Sequence, residues 1–436
     1  MARELAHGVI SAVLVDRTPL DQALSGALAS RKYAGLESRD RAFAHSLAAT
    51  VLRRKGELEH VLSAYLERPL PTEARRIWLI LLAGAAQLIC LGTPPHAVVD
   101  LAVAAVRRQP GGARFAGLTN AVLRRVASGG AGVLQGNDPA RLNIPDWLWQ
   151  RWCAAYGEDE TRRIAAASLR EAPLDITVKM PADDGLWADR LGGTALASGT
   201  VRLVAQGRRV EDLQGYAEGE WWIQDAGAAL VARVVGPVAG KVVADLCAAP
   251  GGKTAQFVAA GASVTAVDAS QRRLERLGAN MRRLGMDPEV VTADVASWAP
   301  DRAFDVVVLD APCSATGTIR RHPDILHLKG PGDVDRLARQ QAAMLANAAR
   351  LVKVGGLLVY STCSLEPEEG QVRIDAFLEG NSQFQRELIT AEELGGDEAW
   401  LTMAGDLRTL PYHMQLDREE MSGIDGFFIA RLRRQR

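Results

Sequence analysis

The 436-residue sequence contains 51 Lys and Arg, 52 Asp and Glu, 48% hydrophobic residues and only five cysteines. Its length predicts about three domains, and its hydrophobic content is ordinary for a globular protein with several cores. Few, widely spaced cysteines argue against a disulfide framework and indicate a reducing compartment, so we expect a cytoplasmic protein. The most apolar run, residues 77–91, is too short to span a bilayer comfortably and predicts a buried helix.

Charge is distributed unevenly along the chain. Residues 1–140 carry 17 Lys and Arg against 11 Asp and Glu, a net charge of +6, which leaves −7 on the remainder. The first part repeatedly contains adjacent basic residues, at Arg53-Arg54-Lys55, Arg75-Arg76, Arg107-Arg108 and Arg124-Arg125. Such a field can attract phosphate groups. Charge alone nevertheless favours solvated helix faces over a nucleic-acid site.

Residues 1–135 are predicted to form an all-helical domain. Segments such as RDRAFAHSLAATVLRR place apolar residues at helical spacing, and no β-branched alternation interrupts them. The Gly-rich stretch SGGAGVLQGNDPA, residues 128–140, is the predicted linker. A tryptophan-rich helical segment and short strand-like pieces then predict a small α/β connector over residues 141–225.

Residues 226–436 are predicted to form an α/β domain. Five apolar strands alternate with helices, in KVVADLCAA, SVTAVDAS, EVVTADV, AFDVVVLDAP and GGLLVYSTCS. Continuous apolar strands in such an alternation are typical of a parallel sheet covered on both faces. The terminal DGFFIARLRRQR predicts one further strand with a basic tail.

Acidic residues and a glycine-rich loop follow these strands. The first strand runs into DLCAAPGGKT, in which Gly251 and Gly252 permit a tight turn, and Asp268, Asp294 and Asp310 follow the next three strands. A lone strand-end Asp is often an N-cap or turn residue. Several of them at one sheet edge predict a ligand site, because ligands bind outside the carboxyl ends of parallel strands. The loop is neither a P-loop nor a GxGxxG motif, which favours S-adenosylmethionine over a nucleotide.

Two cysteines follow the fourth and fifth strands. Cys313 lies in VVVLDAPCSATG and Cys363 in STCSLEPEE. The usual strand order makes these strands neighbours, so both thiols should project into one cleft. A metal site is the rival use of paired cysteines, but the chain has no CxxC, and His322 and His327 lack a ligand partner at typical spacing. No metal site is therefore predicted.

Methylation of carbon 5 of a pyrimidine is a reaction that such thiols can perform. That carbon is a poor nucleophile until a thiolate adds to carbon 6 and turns the ring into an enamine. Cysteine suits this role because it is strongly nucleophilic and its pKa responds to its surroundings. Asp310 can hydrogen-bond the N3/N4 edge of a cytosine and favour protonation as charge develops.

The motifs DLCAAPGGKT, VDAS, DAPCSATG and YSTCSLEPEE resemble those of the RNA cytosine-5 methyltransferases of the Sun/Fmu/RsmB type. The N-terminal SRDRAFAHSLAATVLRR and GLTNAVLRRV resemble the NusB-type RNA-binding helical domain. This combination resembles the branch that acts on small-subunit ribosomal RNA. It implies a helical NusB-like domain, the connector and a Rossmann-like S-adenosylmethionine-dependent methyltransferase domain.

The resemblance implies a role for each motif residue. Cys363 is implied as the nucleophile, and Cys313 as the group that assists proton removal or product release. In DNA cytosine methyltransferases the Pro-Cys cysteine is instead the nucleophile, so the presence of both motifs indicates RNA. The residues implied to surround S-adenosylmethionine are Cys247, Ala248, Ala249, Pro250, Gly251, Gly252, Lys253, Asp268, Asp294 and Asp310, the last of which also contacts the target base.

Three alternatives remain at this stage. The first is a cytosine-5 methyltransferase for transfer RNA or another ribosomal RNA site. The second is an exocyclic-amine methyltransferase, but DAPC lacks the second proline and the aromatic residue that such enzymes carry. The third is a non-catalytic NusB-like RNA-binding factor, although Cys363 and PGGK are intact. We expect a monomer that binds small-subunit ribosomal RNA, with neither DNA nor a membrane as partner.

Overall fold

The computed structural model describes residues 1–204, 209–395 and 398–436, and the chain divides into two compact units. The helical unit comprises Met1–Leu169 and Arg321–Lys329. The sheet unit comprises Arg170–Arg320 and Gly330–Arg436. The short segment Arg321–Lys329 therefore belongs to the helical unit, although residues of the sheet unit precede and follow it in the chain.

The first strand of the chain begins at Leu174, so only helices precede it, whereas helices and strands alternate after it. The α-helices of the described residues are α1 (Ala2–Leu14), α2 (Leu20–Leu28), α3 (Ser38–Arg53), α4 (Lys55–Ala64), α5 (Arg75–Ile89), α6 (Pro95–Arg107), α7 (Ala116–Val133), α8 (Pro139–Asn143), α9 (Asp146–Tyr156), α10 (Glu158–Ser168), α11 (Asp184–Leu191), α12 (Ala226–Val235), α13 (Gly252–Ala259), α14 (Gln271–Leu284), α15 (Ile325–Leu328), α16 (Pro331–Leu351) and α17 (Gln371–Glu379). The strands are β1 (Leu174–Val178), β2 (Thr194–Ala195), β3 (Thr200–Leu203), β4 (Trp221–Ile223), β5 (Val242–Leu246), β6 (Ser263–Asp268), β7 (Glu289–Thr292), β8 (Phe304–Asp310), β9 (Val352–Thr362), β10 (Phe384–Arg386), β11 (Leu407–Arg408) and β12 (Phe428–Arg434). Helices α1–α10 and α15 lie in the helical unit.

Helix α5 is the central element of the helical unit. Its apolar residues from Ile77 to Ala86 are almost all buried, as the continuous apolar run predicts. Gly84 permits close packing of α7, because a Cβ at this position would lie 2.9 Å from the methyl groups of Leu123. No helix in the described part of the chain combines the length and apolar character needed to cross a membrane.

The predicted linker 128–140 is partly helical. Helix α7 continues through Val133 and α8 begins at Pro139, so only residues 134–138 of this stretch lie outside helices. The glycines lie where α7 packs closely: a Cβ on Gly129 would lie 2.6 Å from the Tyr65 hydroxyl, and one on Gly130 would lie 3.3 Å from Ile89. The small residues therefore serve helix packing, and the prediction of a linker from residue 128 was wrong.

The predicted connector, residues 141–225, is divided between the two units at residue 169. Asn143 explains why its first part joins the helices. The Asn143 amide donates to the Glu57 carboxylate at 2.6 Å and accepts from the Glu57 backbone N–H at 3.2 Å. A Cβ on Gly56 would lie 1.8 Å from the Leu142 carbonyl oxygen, so α4 and α8 touch at backbone level.

The main sheet of the sheet unit has the strand order β10-β12-β9-β8-β5-β6-β7, with β11 paired to β12. The five strands β5 to β9 pair with one another in parallel, as predicted. The last strand, β12, runs antiparallel to β9, and β10 and β11 run antiparallel to β12, so the sheet is mixed. Asp310 and Ser361 are partners across β8 and β9, which fixes where the following loops begin.

A second, antiparallel sheet has the order β2-β3-β1-β4. A fully buried ion pair joins its two central strands: Arg202 donates to both carboxylate oxygens of Asp175, at 2.7 and 2.8 Å. Arg202 also donates to the carbonyl oxygens of Met421 and Gly423, and Asp175 accepts from the N–H of Ala226 at the start of α12. This pair therefore anchors the small sheet to the rest of the unit.

We predict that Arg202→Ala lowers the free energy of unfolding by about 3–5 kcal/mol, because it leaves a buried carboxylate without its counter-ion. Urea denaturation of the full-length chain measures the change. Arg418→Ala, which removes an exposed arginine paired with Glu420, is the matched control and should leave the transition unchanged. Equal unfolding midpoints for the two variants would show that the buried pair contributes no more to the free energy of unfolding than an exposed ion pair does.

Candidate active site

Two thiols meet where β8 and β9 end. Cys313 lies three residues after the end of β8, and Cys363 immediately follows β9. Their Sγ atoms are 3.5 Å apart, and both side chains are half-buried. The parallel pairing of the two strands brings these loops together, although the cysteines are 50 residues apart in the chain.

The surroundings of Cys313 favour its protonated form. The hydrogen bond with Cys363, burial, and the negative charges of Cys363 and Glu369 together raise the pKa of the Cys313 thiol well above its usual range. Cys313 is therefore protonated at neutral pH and has an S–H that can be donated to the sulfur of Cys363. An S–H donor at this distance stabilises a thiolate at Cys363. The thiolate is the form of cysteine that acts as a nucleophile.

An ion pair lies beside these thiols. Lys253 Nζ donates to Asp310 Oδ2 at 2.6 Å, and Asp310 Oδ1 accepts from the Ser361 hydroxyl at 2.9 Å. Burial tends to lower the pKa of Lys253, but the Asp310 charge and hydrogen bond, aided by the Asp245 and Cys363 charges, raise it. Lys253, which the sequence indicated only as part of the cofactor loop, is thus a fixed cation paired with Asp310 and within electrostatic reach of Cys363.

Asp245 carries a buried polar atom at the base of the glycine-rich loop. Its side chain is fully buried, and its Oδ2 accepts from the Thr254 hydroxyl at 2.5 Å. Its Oδ1 has no hydrogen-bond partner among the described residues. Burial raises the pKa of Asp245 to about 7, against the opposing effects of Thr254 and Lys253. A buried carboxylate with a raised pKa and an oxygen that lacks a hydrogen-bond partner is typical of a loop that binds a polar ligand group.

The loop from Cys247 to Gly252 is held in an unusual backbone conformation. Cys247 has φ of +62° and Gly251 has φ of +106°, a conformation that favours glycine. A Cβ on Gly251 would lie 3.0 Å from both Leu277 and Met281, so this glycine also permits close packing of α14. Burial, with the charges of Asp310 and Asp268, raises the pKa of the Cys247 thiol, which remains neutral.

Further hydrogen bonds fix the rest of the loop. The N–H of Ala248 donates to the carbonyl of Val267 at 3.0 Å, and the carbonyl of Pro250 accepts from the Asn280 amide at 3.0 Å. Gly252 begins α13, and Lys253 follows it in the first turn. The loop is therefore preorganised by β6 and α14 before any ligand is considered.

Asp268 and Asp294 differ in their surroundings. Asp268 is buried at the end of β6, where it accepts from the backbone N–H groups of Ala249 and Ser270 and lies 3.2 Å from Arg273. Asp294 is exposed and lies two residues beyond the end of β7, where its carboxylate accepts from the N–H of Ala296 in a local turn. Asp268 is thus tied to the cofactor loop, whereas the contacts of Asp294 are those of a turn.

Several site residues were missed by sequence reasoning. The carboxylate of Glu369 is fully buried and accepts hydrogen bonds from Ser314, Ser364 and Gln341. The acidic run Glu366, Glu368 and Glu369 after Cys363 was the available signal, but its pattern alone predicts a solvated loop. No group of three or more His, Cys, Asp or Glu side chains within the described ranges is arranged to hold a metal ion.

Comparison with known proteins covers both units. The family described as 16S rRNA methyltransferase RsmB/F matches residues 232–433, and the NusB family matches residues 1–128. The ribosomal RNA small subunit methyltransferase B of Xanthomonas campestris pv. campestris is 34% identical, covering 99% of this chain and 96% of the relative. Its counterpart in Vibrio cholerae serotype O1 is 33% identical, covering 95% and 94%. The crystal structure of PH0851 has a TM-score of 0.72 and covers 98% of each chain at 21% identity, which shows a shared fold.

These relatives match the chain from the first helices to the last strand. The helical block carries the NusB match, and the mixed sheet with its glycine-rich loop and paired cysteines carries the methyltransferase match. S-adenosylmethionine is the cofactor of this class of enzyme, and the unmatched buried oxygen of Asp245 fits a loop that binds it. The chain belongs to the ribosomal RNA small subunit methyltransferase B family and is an S-adenosylmethionine-dependent methyltransferase of ribosomal RNA.

Proposed function

We propose that this protein methylates carbon 5 of a cytosine in small-subunit ribosomal RNA, through a temporary bond between Cys363 and carbon 6. The observation that carries the proposal is the thiol pair, 3.5 Å apart, beside the Lys253–Asp310 ion pair. Methylation at carbon 5 needs one nucleophile that adds to the ring and a second group that removes the carbon-5 proton. S-adenosylmethionine, held by the residues from Cys247 to Gly252 with Asp245 and Asp268, supplies the methyl group when bound.

In the first step the Cys363 thiolate adds to carbon 6 of the cytosine. The carbon–sulfur bond forms, and the electron pair of the carbon 5–carbon 6 double bond becomes available at carbon 5. The Asp310 carboxylate can accept a hydrogen bond from the exocyclic amine. The Lys253 ammonium, fixed 2.6 Å from Asp310, provides positive charge as negative charge moves into the ring.

In the second step, after the electron pair at carbon 5 has formed the bond to the methyl group that bound S-adenosylmethionine would supply, Cys313 resolves the covalent intermediate. The largest cause of its raised pKa is the hydrogen bond to Cys363. Once the Cys363 sulfur is bonded to carbon, its negative charge disappears, so Cys313 loses a proton to solvent more readily. The Cys313 thiolate then takes the carbon-5 proton, the double bond re-forms, and Cys363 leaves as a thiolate. The net result is one proton released per methyl group transferred.

We propose that the helical unit binds the RNA through phosphate contacts. The unit contains a cleft of about 740 Å³ whose lining includes Arg3, Lys32, Arg76 and Arg108. Only Glu4 and Asp40 contribute carboxylates to this lining, so the cleft is basic. Together with the +6 balance of residues 1–140, this cleft supports RNA binding over merely solvated helix faces.

Free thiols and a ribosomal substrate are both compatible with the cytoplasm, which we propose as the location.

We predict that Asp268→Ala weakens S-adenosylmethionine binding by about 1–3 kcal/mol, because it leaves polar groups of the loop unpaired. Titration calorimetry on the folded variant measures this loss. Asp287→Ala, an exposed aspartate near the start of β7, should bind with unchanged affinity. Asp294→Ala should have the smaller effect of the two site variants. An unchanged affinity in Asp268→Ala would remove this residue from the cofactor site.

We predict opposite behaviour for the two cysteine variants. Cys363→Ala cannot form the covalent bond, so it should be inactive and show no protein–RNA adduct. Cys313→Ala should still attack and methylate but release slowly, so an adduct should accumulate and survive denaturing electrophoresis. Cys90→Ala, which removes an exposed cysteine of the helical unit, is the control and should behave as the unmodified protein.

Bisulfite sequencing of the RNA from the same reactions identifies the methylated cytosine. An adduct in Cys363→Ala and none in Cys313→Ala would reverse the two roles. Methylation confined to transfer RNA would keep the chemistry but overturn the proposed substrate.

We predict that Arg76→Ala/Arg108→Ala weakens binding of ribosomal RNA and makes it less dependent on salt. Each lost phosphate contact should reduce the slope of log K against log salt by about 0.7–0.9. Binding is measured by filter retention over a salt series. Arg336→Ala/Arg339→Ala, which removes two exposed arginines of α16, is the charge-matched control. Equal slopes for both variants would show that the cleft does not contact phosphate.

A further inference from the structure

The Glu369 side chain is a buried carboxylate surrounded by hydrogen-bond donors. Its Oε1 accepts from the backbone N–H of Ser314 at 2.9 Å and from the Gln341 amide at 3.0 Å. Its Oε2 accepts from the Ser314 hydroxyl and from the Ser364 hydroxyl, the latter at 2.6 Å. Charge-assisted hydrogen bonds of this kind are about twice as strong as neutral ones, so the carboxylate holds its neighbours firmly.

These donors flank both thiols. Ser314 follows Cys313, and Ser364 follows Cys363, so one carboxylate accepts hydrogen bonds from the residue after each cysteine. The two hydroxyls also contact each other at 3.0 Å. Gln341 adds a further contact to this loop, because its amide donates to the carbonyl of Pro312, the residue before Cys313. The Cys313 loop is therefore held on both sides of the thiol.

The backbone of Glu369 is itself fixed to the strand that leads to Cys363. Its carbonyl accepts from the Tyr360 hydroxyl at 2.9 Å and from the Thr362 hydroxyl at 3.1 Å. The side chain and the main chain of one residue thus connect β9, the Cys363 loop and the Cys313 loop. An apolar or neutral side chain could fill this space but could not accept four hydrogen bonds from donors.

We propose that Glu369 is a positioning residue that sets the distance between Cys313 and Cys363. Its importance for catalysis rests on the function proposed above, because only a reaction that uses both thiols depends on their spacing. The nearby carboxylate charge also contributes to keeping Cys313 protonated while Cys363 is free. The same residue therefore fixes the geometry of the pair and favours the protonated form of Cys313.

Oxidation by diamide tests the spacing without any RNA. Diamide takes up the two thiol hydrogens and is reduced to the hydrazine, while the two sulfurs form a disulfide. The sulfurs must move from 3.5 Å to bonding distance, so the rate reports how well they are held together. Glu369→Gln presents an amide N–H₂ to donors, and we expect it to slow formation of the Cys313–Cys363 disulfide by about tenfold. Glu379→Gln, the same change on the exposed end of α17, should keep the original rate.

Methylation kinetics provide the second measurement. Glu369→Gln should lower kcat by roughly 10²-fold, because displacement of reacting groups by about 1 Å has that effect, while KM for the RNA stays unchanged. Should Glu369→Gln fail to fold, as judged by circular dichroism, Ser364→Ala removes one donor and should show the same two changes to a smaller extent. If Glu369→Gln forms the disulfide as fast as the unmodified protein, the positioning role is overturned. It is also overturned if oxidation is slower but kcat equals that of the unmodified protein. If the unmodified protein methylates no cytosine, the function proposed above fails, and the oxidation rates still decide whether Glu369 sets the spacing.

Discussion

The parallel pairing of β8 with β9 is the constraint on which the site depends. Because Asp310 lies opposite Ser361, the two loops leave the sheet at the same level and in the same direction. The strand order then places β5, and with it the glycine-rich loop, on the other side of β8. Lys253 on α13 can therefore reach Asp310, although they are 57 residues apart in sequence. A shift of one residue in this register would turn Asp310 to the opposite face and separate the thiols.

The carboxylates that lie close together at this edge of the sheet lower the stability of the folded protein. Burial raises the pKa of Asp245 from its ordinary 3.8 to about 7, with the charges of Asp310 and Asp268 acting in the same direction. The folded protein therefore holds this proton more tightly than the unfolded chain. The resulting stability is present at acidic pH and is lost as the pH rises from about 4 towards 7. At neutral pH the fold thus tolerates an unfavourable carboxylate, which is typical of residues retained for binding and not for stability.

Local patterns in the sequence predicted the strands β5 to β9, because continuous apolar runs and turn residues are signals that neighbouring residues supply. The usual strand order of such a sheet then predicted that Cys313 and Cys363 lie at neighbouring strand ends. Contacts between distant residues were not predictable in this way. The glycines at 129 and 130 suggested a linker but permit packing of α7 against Tyr65 and Ile89. Glu369 looked like part of a solvated acidic run, and only the fold brings Ser314, 55 residues away, to its carboxylate.

The chain that follows Cys313 passes from the sheet unit into the helical unit and back. Seven residues after this cysteine the chain leaves the sheet unit, and Arg321–Lys329 forms part of the helical unit before the chain returns at Gly330. Within the helical unit, the Asp324 carboxylate accepts from the N–H of Leu20 at the start of α2, and the His327 ring contacts the carbonyl of Leu52 at 2.8 Å. Arg17 donates to the carbonyl of Leu328 at 2.6 Å. These contacts make the segment after the Cys313 loop an integral part of the helical unit, where it packs on α2 and α3. Because the helical unit includes Arg321–Lys329, a single cut in the chain cannot separate the two units.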